Sequence, residues 1–353
     1  MVGYFDDGNS GSSIIRDEKI LLPDYLPDEL IQRDHELQYI ADCIKPLLGK
    51  RMPQNLFIHG SSGTGKTTCV RYLIRQLSEQ SSSILPVYVN CWENPTQLAI
   101  YNKIVEEMRL PLPRRGLAAD EIFDKIMQFV KNYKKPILLV LDEMDAIRHE
   151  ELLYVISRSN EKMLAFGIIG ISNNKSLLSK LDQRIRSSLR FSEMEFQAYS
   201  EEQLSSILRL RAERALEPAS FDEKLLLKIA RSVEDGSARV AIERLWKAAK
   251  NAEHASKSKI MIQDLEDILS DTSAFKKQEL NLSPEESFIL ELLKSGELGS
   301  TELYTLFSKK YDKSKRQIRY YIDSLEQKKL IESNVVESGS TFKSRIFKLM
   351  DRK

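Results

Sequence analysis

The sequence has few cysteines, few histidines and no long apolar run. Three cysteines (Cys43, Cys69 and Cys91) stand in 353 residues without the paired spacing of a metal site or a disulfide framework. The longest purely apolar run extends only from Ile137 to Leu141, whereas a bilayer needs about 20 apolar residues. The first residues lack both a basic start and an apolar core. We therefore expect no membrane partner, no secretory signal and a cytoplasmic protein.

The chain also lacks an excess of charge of either sign. It carries 53 basic and 52 acidic side chains, for a net charge of +1, so any surface for a polyanion must come from local clustering. Charged residues make up 30% and hydrophobic residues 42%, which excludes a disordered chain, and the glycine and proline content excludes a fibrous one. The length predicts two or three domains, each with its own core.

Apolar runs alternate with segments of helical periodicity in the first part of the chain. Such short runs, flanked by turn residues, predict strands that are buried on both faces. The alternation predicts an α/β fold with a parallel sheet covered by helices on both sides. The predicted strands are Asn55 to His59, Leu85 to Val89, Ile137 to Leu141, and Phe166 to Ile171.

After Phe196 the pattern becomes helical, and a polar stretch from Ser270 to Ser283 reads as a linker. Beyond it, three helical segments are followed by two β-like runs, which predicts a winged helix-turn-helix. We predict a flexible N-terminal tail (1–20), a base domain (21–196), a helical lid (197–275) and a winged-helix domain (276–353).

A phosphate-binding motif follows the first predicted strand. Residues 60–67 read GSSGTGKT, which matches G-x-x-x-x-G-K-[ST] without a mismatch between a strand and a helix. In this context an ordinary glycine-rich turn is the weaker interpretation. The glycines let backbone N–H groups face phosphate oxygens, Lys66 reaches the terminal phosphates, and the Thr67 hydroxyl holds Mg²⁺. The residues predicted to bind ATP or ADP here are Gly60, Ser61, Ser62, Gly63, Thr64, Gly65, Lys66, Thr67 and Thr68.

Polar side chains end the third and fourth predicted strands. Asp142 is predicted to bind Mg²⁺ through water, and Glu143 to orient or deprotonate the attacking water of a nucleotide hydrolase. Asn173 can hydrogen-bond the terminal phosphate and that water. By themselves, a charged pair at a strand end and an asparagine in a turn are common features of solvated loops. Next to the phosphate-binding loop, they indicate a hydrolytic site.

Two arginines are further candidates for catalysis. Arg184 lies shortly after the Asn173 strand. Arg239 follows Ser237, a predicted helix N-cap, so it lies in a first turn where the helix dipole disfavours a cation. An anionic partner such as a terminal phosphate removes that conflict.

These segments, in this order, resemble the AAA+ ATPases and, more narrowly, the archaeal replication initiators of the origin-recognition type. The matching segments are Asn55 to Gly60 before the phosphate loop, Leu141 to Asp145 as Walker B, Gly170 to Asn174 as sensor 1, Leu181 to Leu189 as the arginine-finger segment, Tyr199 to Arg211 as the lid entry, and Gly236 to Ala241 as sensor 2.

The resemblance implies specific roles. Tyr199 and Arg211 line the nucleotide pocket, Arg239 contacts the γ-phosphate, and Arg184 reaches the nucleotide of a neighbouring initiator subunit or paralogue. A short helical insertion near 176–186 approaches DNA. The family also implies slow, switch-like ATP hydrolysis, origin DNA at the nucleoid as a ligand, and a replicative helicase as a partner.

The third helix of the predicted winged helix is basic. In this fold that helix enters the major groove of double-stranded DNA. There Arg316 and Arg319 suit guanine and Gln317 suits adenine, whereas Lys309 and Lys310 suit phosphates. A basic face can also be merely solvated, and winged helices also bind proteins. The predicted DNA-binding residues are Lys309, Lys310, Lys313, Lys315, Arg316, Gln317, Arg319, Lys343 and Arg345.

Two other functions fit parts of this pattern. A signalling ATPase that regulates transcription through a winged helix does not need Asn173, Arg184 and Arg239 in this arrangement. A non-enzymatic scaffold keeps a nucleotide as a structural element and uses the winged helix to bind a protein. The dependence of duplex binding on salt separates the scaffold from a DNA-binding protein.

Overall fold

The computed structural model describes residues 13–113, 116–161, 163–266, 268–269, 283–293, 296–311, 313–327, 330–338 and 342–349. The chain forms two compact units, divided between Leu265 and Glu266. The predicted linker and the predicted boundary at 275/276 lie almost entirely outside the described residues. Among the described helices, none combines the length and apolar character needed to cross a bilayer.

The first unit contains a five-stranded parallel sheet. Its strands are β1 (Leu56–His59), β2 (Leu85–Asn90), β3 (Ile137–Asp142), β4 (Phe166–Ser172) and β5 (Ser192–Glu195). They lie in the order β2-β3-β4-β1-β5, and every pair is parallel. The prediction of a parallel sheet is confirmed. The edge strand β5 was not predicted, because its residues alternate between half-buried and exposed positions and form no apolar run.

Helices cover both faces of the sheet. Phe57, Leu139 and Ile168 contribute to the core on one face, and the core on the other face includes Ile58 and Val140. Both clusters are apolar because a strand buried on both faces has no solvent-facing side. The helices of this part are α1 (Asp34–Ile44), α2 (Lys66–Gln80), α3 (Gln97–Glu107), α4 (Ala119–Tyr133), α5 (Glu151–Ser159), α6 (Leu177–Lys180) and α7 (Gln183–Leu189).

The lid follows β5 and is helical, as predicted. It contains α8 (Glu201–Ala215), α9 (Glu223–Arg231) and α10 (Ala238–His254). The side chain of Ser200 caps α8 in a capping box with Gln203, and Ser237 caps α10 by accepting from the N–H of Val240.

The described part of the predicted N-terminal tail packs on the lid. Ile14 is 1% exposed, and Ile15 forms an antiparallel bridge with Leu216. The carboxylate of Glu18 accepts a hydrogen bond from Trp246 Nε1 at 2.8 Å. For residues 13–20, the prediction of a flexible tail is therefore corrected: buried isoleucines and partners distant in sequence hold this segment in place.

The second unit has its own core. Its helices are α11 (Pro284–Leu293), α12 (Ser300–Ser308) and α13 (Lys315–Gln327), and its strands are β6 (Leu298–Gly299), β7 (Ile331–Ser338) and β8 (Phe342–Leu349). The strands form an antiparallel sheet in the order β6-β8-β7. Phe307, Ile322 and Phe347 are buried in the centre. Three helices and a hairpin are the elements that the sequence predicts for a winged helix.

Candidate functional site

The phosphate-binding loop lies between β1 and α2 and packs against the lid. Gly63 has a φ of +77°, and a Cβ atom there would lie 1.9 Å from Ser237 Oγ. Gly65 has a φ of +89°, and its Cβ would lie 2.6 Å from the Tyr199 hydroxyl. Both positions therefore require glycine for conformation and for space. The N–H of Ala238, at the start of α10, donates to Gly63 O at 3.0 Å, so loop and lid are in direct contact.

Lys66 is buried in this loop with only 6% of its surface exposed. Its ammonium group donates to Gly60 O (2.8 Å), Ser61 O (2.7 Å) and Asn173 Oδ1 (2.8 Å). Burial lowers the pKa of Lys66 to about 8, with a smaller opposing effect of Asp142. The structure thus brings together Lys66 and Asn173, two residues that the sequence separates widely.

Asp142 ends β3 and is the centre of a hydrogen-bonded cluster. Its Oδ2 atom accepts from Thr67 Oγ1 (2.7 Å) and from the hydroxyl of Tyr88 (2.6 Å), and its Oδ1 atom accepts from the N–H of Glu143 (2.9 Å). Tyr88 was not identified from the sequence. Burial raises the pKa of Tyr88, so its phenol stays protonated and can donate. The cluster fixes the orientation of the Asp142 carboxylate.

Glu143 follows in a backbone conformation that is uncommon for a residue with a side chain. Its φ is +53°, which carries a conformational cost and occurs preferentially at functional sites. Burial raises the pKa of the Glu143 carboxyl, and the neighbouring charges of Asp142 and Asp145 raise it further. A carboxylate with a raised pKa is a stronger proton acceptor near neutral pH.

The predicted arginines occupy different places. Arg239 Nη1 lies 3.5 Å from Ser62 Oγ at the phosphate loop. Arg211 lines the same cavity but donates to Ile20 O at 2.8 Å and stacks 4.5 Å above the ring centre of Tyr25. Arg184 does not line that cavity: its side chain is 83% exposed and bonds only to Asp182 among the described residues.

Residues of the phosphate loop and of the lid line one cavity of about 460 Å³. This volume is within the usual range for small-molecule sites. Lys66, Glu143 and Arg239 lie at its polar end. Its apolar wall comes from the lid and from the N-terminal segment, whose place at the cavity was not predicted. That wall includes Leu21, Leu22, Pro23, Tyr25, Leu30, Ile31, Ile207, Leu210 and Trp246.

These residues fit a nucleoside polyphosphate with Mg²⁺. None of the hydrogen bonds among the described residues uses the backbone N–H of residues 62–65 as donor, so these groups are available to phosphate oxygens. The Thr67 hydroxyl and the Asp142 carboxylate are the hard oxygen donors that Mg²⁺ takes. The apolar wall suits a base, and the polar end suits phosphates.

The second unit holds several of the predicted DNA-binding residues in internal contacts. Lys313 pairs with Glu285 at 3.2 Å, and Lys310 lies 4.2 Å from the ring centre of Phe288. Arg345 bonds to Ser333 Oγ at 2.9 Å and lies 3.4 Å from Glu326. The two ion pairs offset part of the charge that Lys313 and Arg345 present to solvent.

Gln317 has a structural role that was not predicted. Its Oε1 atom accepts from the N–H and the hydroxyl of Ser314, both at 3.0 Å, and Ser314 Oγ accepts in return from the Gln317 N–H. This is a capping box at the start of α13. The amide oxygen of Gln317 therefore already accepts two hydrogen bonds, which weakens the case for adenine recognition by this side chain. Lys309, Lys315 and Arg319 are exposed, whereas the side chains of Arg316 and Lys343 lie outside the described residues.

Comparisons with known proteins agree with this architecture. Residues 50–181 match the AAA domain, and residues 205–268 match the Cdc6 AAA+ ATPase-type lid domain. An ORC1-type DNA replication protein of Desulfurococcus amylolyticus is 30% identical over an alignment of 362 positions. The alignment covers 96% of this chain and 92% of that protein. ORC1-type DNA replication protein 1 of Sulfurisphaera tokodaii is 33% identical over 262 residues, or 72% of this chain and 66% of that relative.

Solved structures give the same result. The Aeropyrum pernix ORC1 protein in complex with DNA has a TM-score of 0.75 at 28% identity, over 96% of this chain and 94% of that one. Cdc6p from Pyrobaculum aerophilum shares the fold, with a TM-score of 0.66 at 21% identity over 96% and 95% of the two chains. With its parallel sheet, phosphate loop and helical lid, the chain belongs to the family of ORC1-type DNA replication proteins, AAA+ ATPases with a Cdc6-type lid.

Proposed function

We propose that the chain is an ATP-dependent initiator of DNA replication that binds origin DNA at the nucleoid and uses slow ATP hydrolysis as a conformational switch. The observation that carries the switch is the contact between phosphate loop and lid. Ala238 bonds to Gly63, and the neighbouring Arg239 extends to Ser62. A terminal phosphate in the loop then has the lid arginine beside it, and its loss on hydrolysis removes that attraction.

In this proposal Lys66 and Arg239 supply positive charge to the terminal phosphate, and Thr67 with Asp142 holds Mg²⁺. When bound, Mg²⁺ neutralises charge on the phosphates. Tyr88 keeps the Asp142 carboxylate oriented. Glu143 orients the attacking water and accepts its proton, and Asn173 hydrogen-bonds the same water from the adjacent strand. Arg184 serves a neighbouring subunit or paralogue, a role supported by its exposure and by its absence from the lining of the cavity.

The depressed pKa of Lys66 predicts proton uptake when ADP binds. In the free protein this pKa is about 8, and contact with phosphate raises it, because opposite charge favours the ammonium form. Near pH 8.5 the free protein lacks this proton in most molecules, so binding takes up roughly 0.7 proton, whereas near pH 7 uptake is roughly 0.1. Calorimetry in buffers of different ionisation enthalpy measures this difference.

The control for this measurement is Lys66→Arg, since a guanidinium stays protonated throughout. It should show no uptake near pH 8.5. Equal uptake by both proteins, or none by the wild type, contradicts the assignment of the titrating proton to Lys66.

We infer further that the second unit binds double-stranded origin DNA through α13 and the β7–β8 wing. In this proposal the segment near 176–186, which belongs to the base domain, makes an additional contact with DNA. The exposed cations Lys315 and Arg319 support this surface, as does the DNA in the solved complex of the A. pernix ORC1 protein. Recruitment of a replicative helicase belongs to the same proposal as the downstream step of initiation.

The dependence of duplex binding on salt tests the DNA-binding proposal. The logarithm of affinity should fall steeply with the logarithm of salt concentration, by about 0.9 per phosphate neutralised. Lys315→Ala, which removes an exposed cation of this surface, should lower this slope by about one. Lys259→Ala in the lid, which removes a cation paired with Asp222 at 3.1 Å, is the control and should leave the slope unchanged.

The same binding measured on genomic fragments with ATP and with ADP tests the switch. Footprints that differ between the two nucleotides support it, and identical footprints count against it. A flat salt slope instead favours a scaffold whose second unit binds protein. The transcription regulator remains the alternative if footprints fall at promoters.

A further inference from the structure

Arg33 is a buried cation that the nucleotide chemistry does not use. It immediately precedes α1 and is 3% exposed. A guanidinium placed out of water needs several hydrogen-bond partners, because an uncompensated buried charge is strongly destabilising. The identity of those partners therefore indicates what the residue holds together.

The partners of Arg33 come from three parts of the first unit. Its Nη2 atom donates to Thr64 O in the phosphate loop (2.9 Å) and to Gln197 O, where the chain leaves the sheet for the lid (2.6 Å). Its Nη1 atom donates to Glu36 Oε1 in α1 (2.5 Å). A single nitrogen thus bridges a carbonyl of the loop and a carbonyl of the segment that connects sheet and lid.

Two aromatic rings near the entry to the lid pack against the guanidinium. It lies 4.0 Å from the ring centre of Tyr199 and 5.1 Å from that of Phe196, distances at which a cation is attracted to a ring face. Tyr199 in turn reaches the phosphate loop, since its hydroxyl occupies the space beside Gly65. Arg33 and Tyr199 therefore form a continuous packed link between the loop and the entry to the lid.

We propose that Arg33 is a positioning residue that couples occupancy of the phosphate loop to the conformation of the segment at 196–200. The inference rests on the proposed binding of nucleotide in that loop. Because one planar group binds both carbonyls, a shift of the loop on binding phosphate displaces the same guanidinium that holds the entry to the lid. Lysine keeps the charge but lacks the rigid fork and the stacking face that this geometry uses.

Hydrogen exchange of the full chain, with and without ADP and Mg²⁺, tests this coupling. In the wild type, ADP should slow exchange both in the loop (60–67) and in the segment at 196–200. In Arg33→Lys, saturating ADP should still protect the loop but should no longer protect 196–200, and affinity for ADP should fall about tenfold. Tyr199→Leu removes the ring without removing a donor to the two carbonyls and should uncouple the same two segments, which decides the matter if Arg33→Lys does not fold.

The matched control is Arg244→Lys. Arg244 is half-buried and, like Arg33, donates to a backbone carbonyl, here that of Ser232. It also donates to the Ser232 hydroxyl at 2.7 Å, and both of these partners lie within the lid. It should retain protection of both segments. The proposal is overturned if ADP protects 196–200 in Arg33→Lys or Tyr199→Leu as strongly as in the wild type, and if the ADP affinity of that variant is within about twofold of the wild-type value. Absence of any ADP effect on the wild-type loop overturns nucleotide binding itself, a separate result.

Discussion

Lys66→Ala is expected to lower affinity for ATP and ADP by at least about a hundredfold. The substitution removes the ammonium group that faces the phosphates, and each charge-assisted hydrogen bond contributes about 1.5–3 kcal/mol. Titration with a fluorescent ADP analogue measures the loss. Because Lys66 also bonds to Gly60 O, Ser61 O and Asn173 Oδ1, the variant removes three hydrogen bonds, of whose acceptors only Ser61 O keeps another donor within the described part of the chain, the Thr64 hydroxyl. The melting temperature of the variant should therefore be measured alongside.

Lys175→Ala is the control for this prediction. Lys175 lies close to Asn173 in sequence, but its ammonium group is largely exposed and pairs with Glu195 at 3.2 Å. Its removal should leave ADP affinity within about twofold of the wild type, since exposed ion pairs contribute little. If Lys66→Ala retains wild-type affinity while folded, the phosphate loop does not bind the nucleotide.

Glu143→Gln is expected to lower the rate of ATP hydrolysis by about a hundredfold to ten-thousandfold, the usual contribution of a general base. Nucleotide affinity should be retained, because glutamine keeps the shape of the side chain and Glu143 faces water in the proposed mechanism. Single-turnover hydrolysis of radiolabelled ATP separates the chemical step from product release.

Glu93→Gln is the matched control. The charge of Glu93 raises the pKa of Glu143, but it is the smallest of the effects that shift this pKa. Neutralising Glu93 should therefore change the rate only slightly. Wild-type turnover by Glu143→Gln assigns the role of base to another group. A loss of nucleotide binding in that variant shows instead that Glu143 holds the phosphates.

The sequence was sufficient to predict the sheet wherever strands are buried on both faces. β3 is entirely buried, and its unbroken apolar run has few other interpretations. β5 was missed because Ser192–Glu195 is a short edge strand with half-exposed side chains, and its pairing with β1 is set by tertiary contact.

For the site, local motifs were predictable and long-range contacts were not. The phosphate loop is a contiguous pattern whose glycines and lysine must lie next to one another. Tyr88 acts through a hydrogen bond to Asp142 on the neighbouring strand, and nothing close to it in sequence reveals that partner. Arg33 could have been found, because a cation at the start of α1 conflicts with the helix dipole just as Arg239 does in α10.

Gln317 shows the reverse error. The pattern Ser-x-x-Gln at 314–317 is the sequence signature of a capping box, and a purely structural interpretation was available. The basic residues around it favoured a base contact, although a backbone partner three residues away is the simpler use of that amide.

The attachment of residues 14–18 to the lid limits how the lid can turn. The lid is joined to the sheet by the chain at 196–200, and again by the segment that runs from Glu18, bonded to Trp246, through the cavity wall to Arg33 at the start of α1. The second of these links is the stretch of chain at 19–32, several residues of which line the nucleotide cavity. Any opening of this lid therefore carries residues 14–18 with it, and the stretch at 19–32 has to change its path along the wall of the nucleotide cavity.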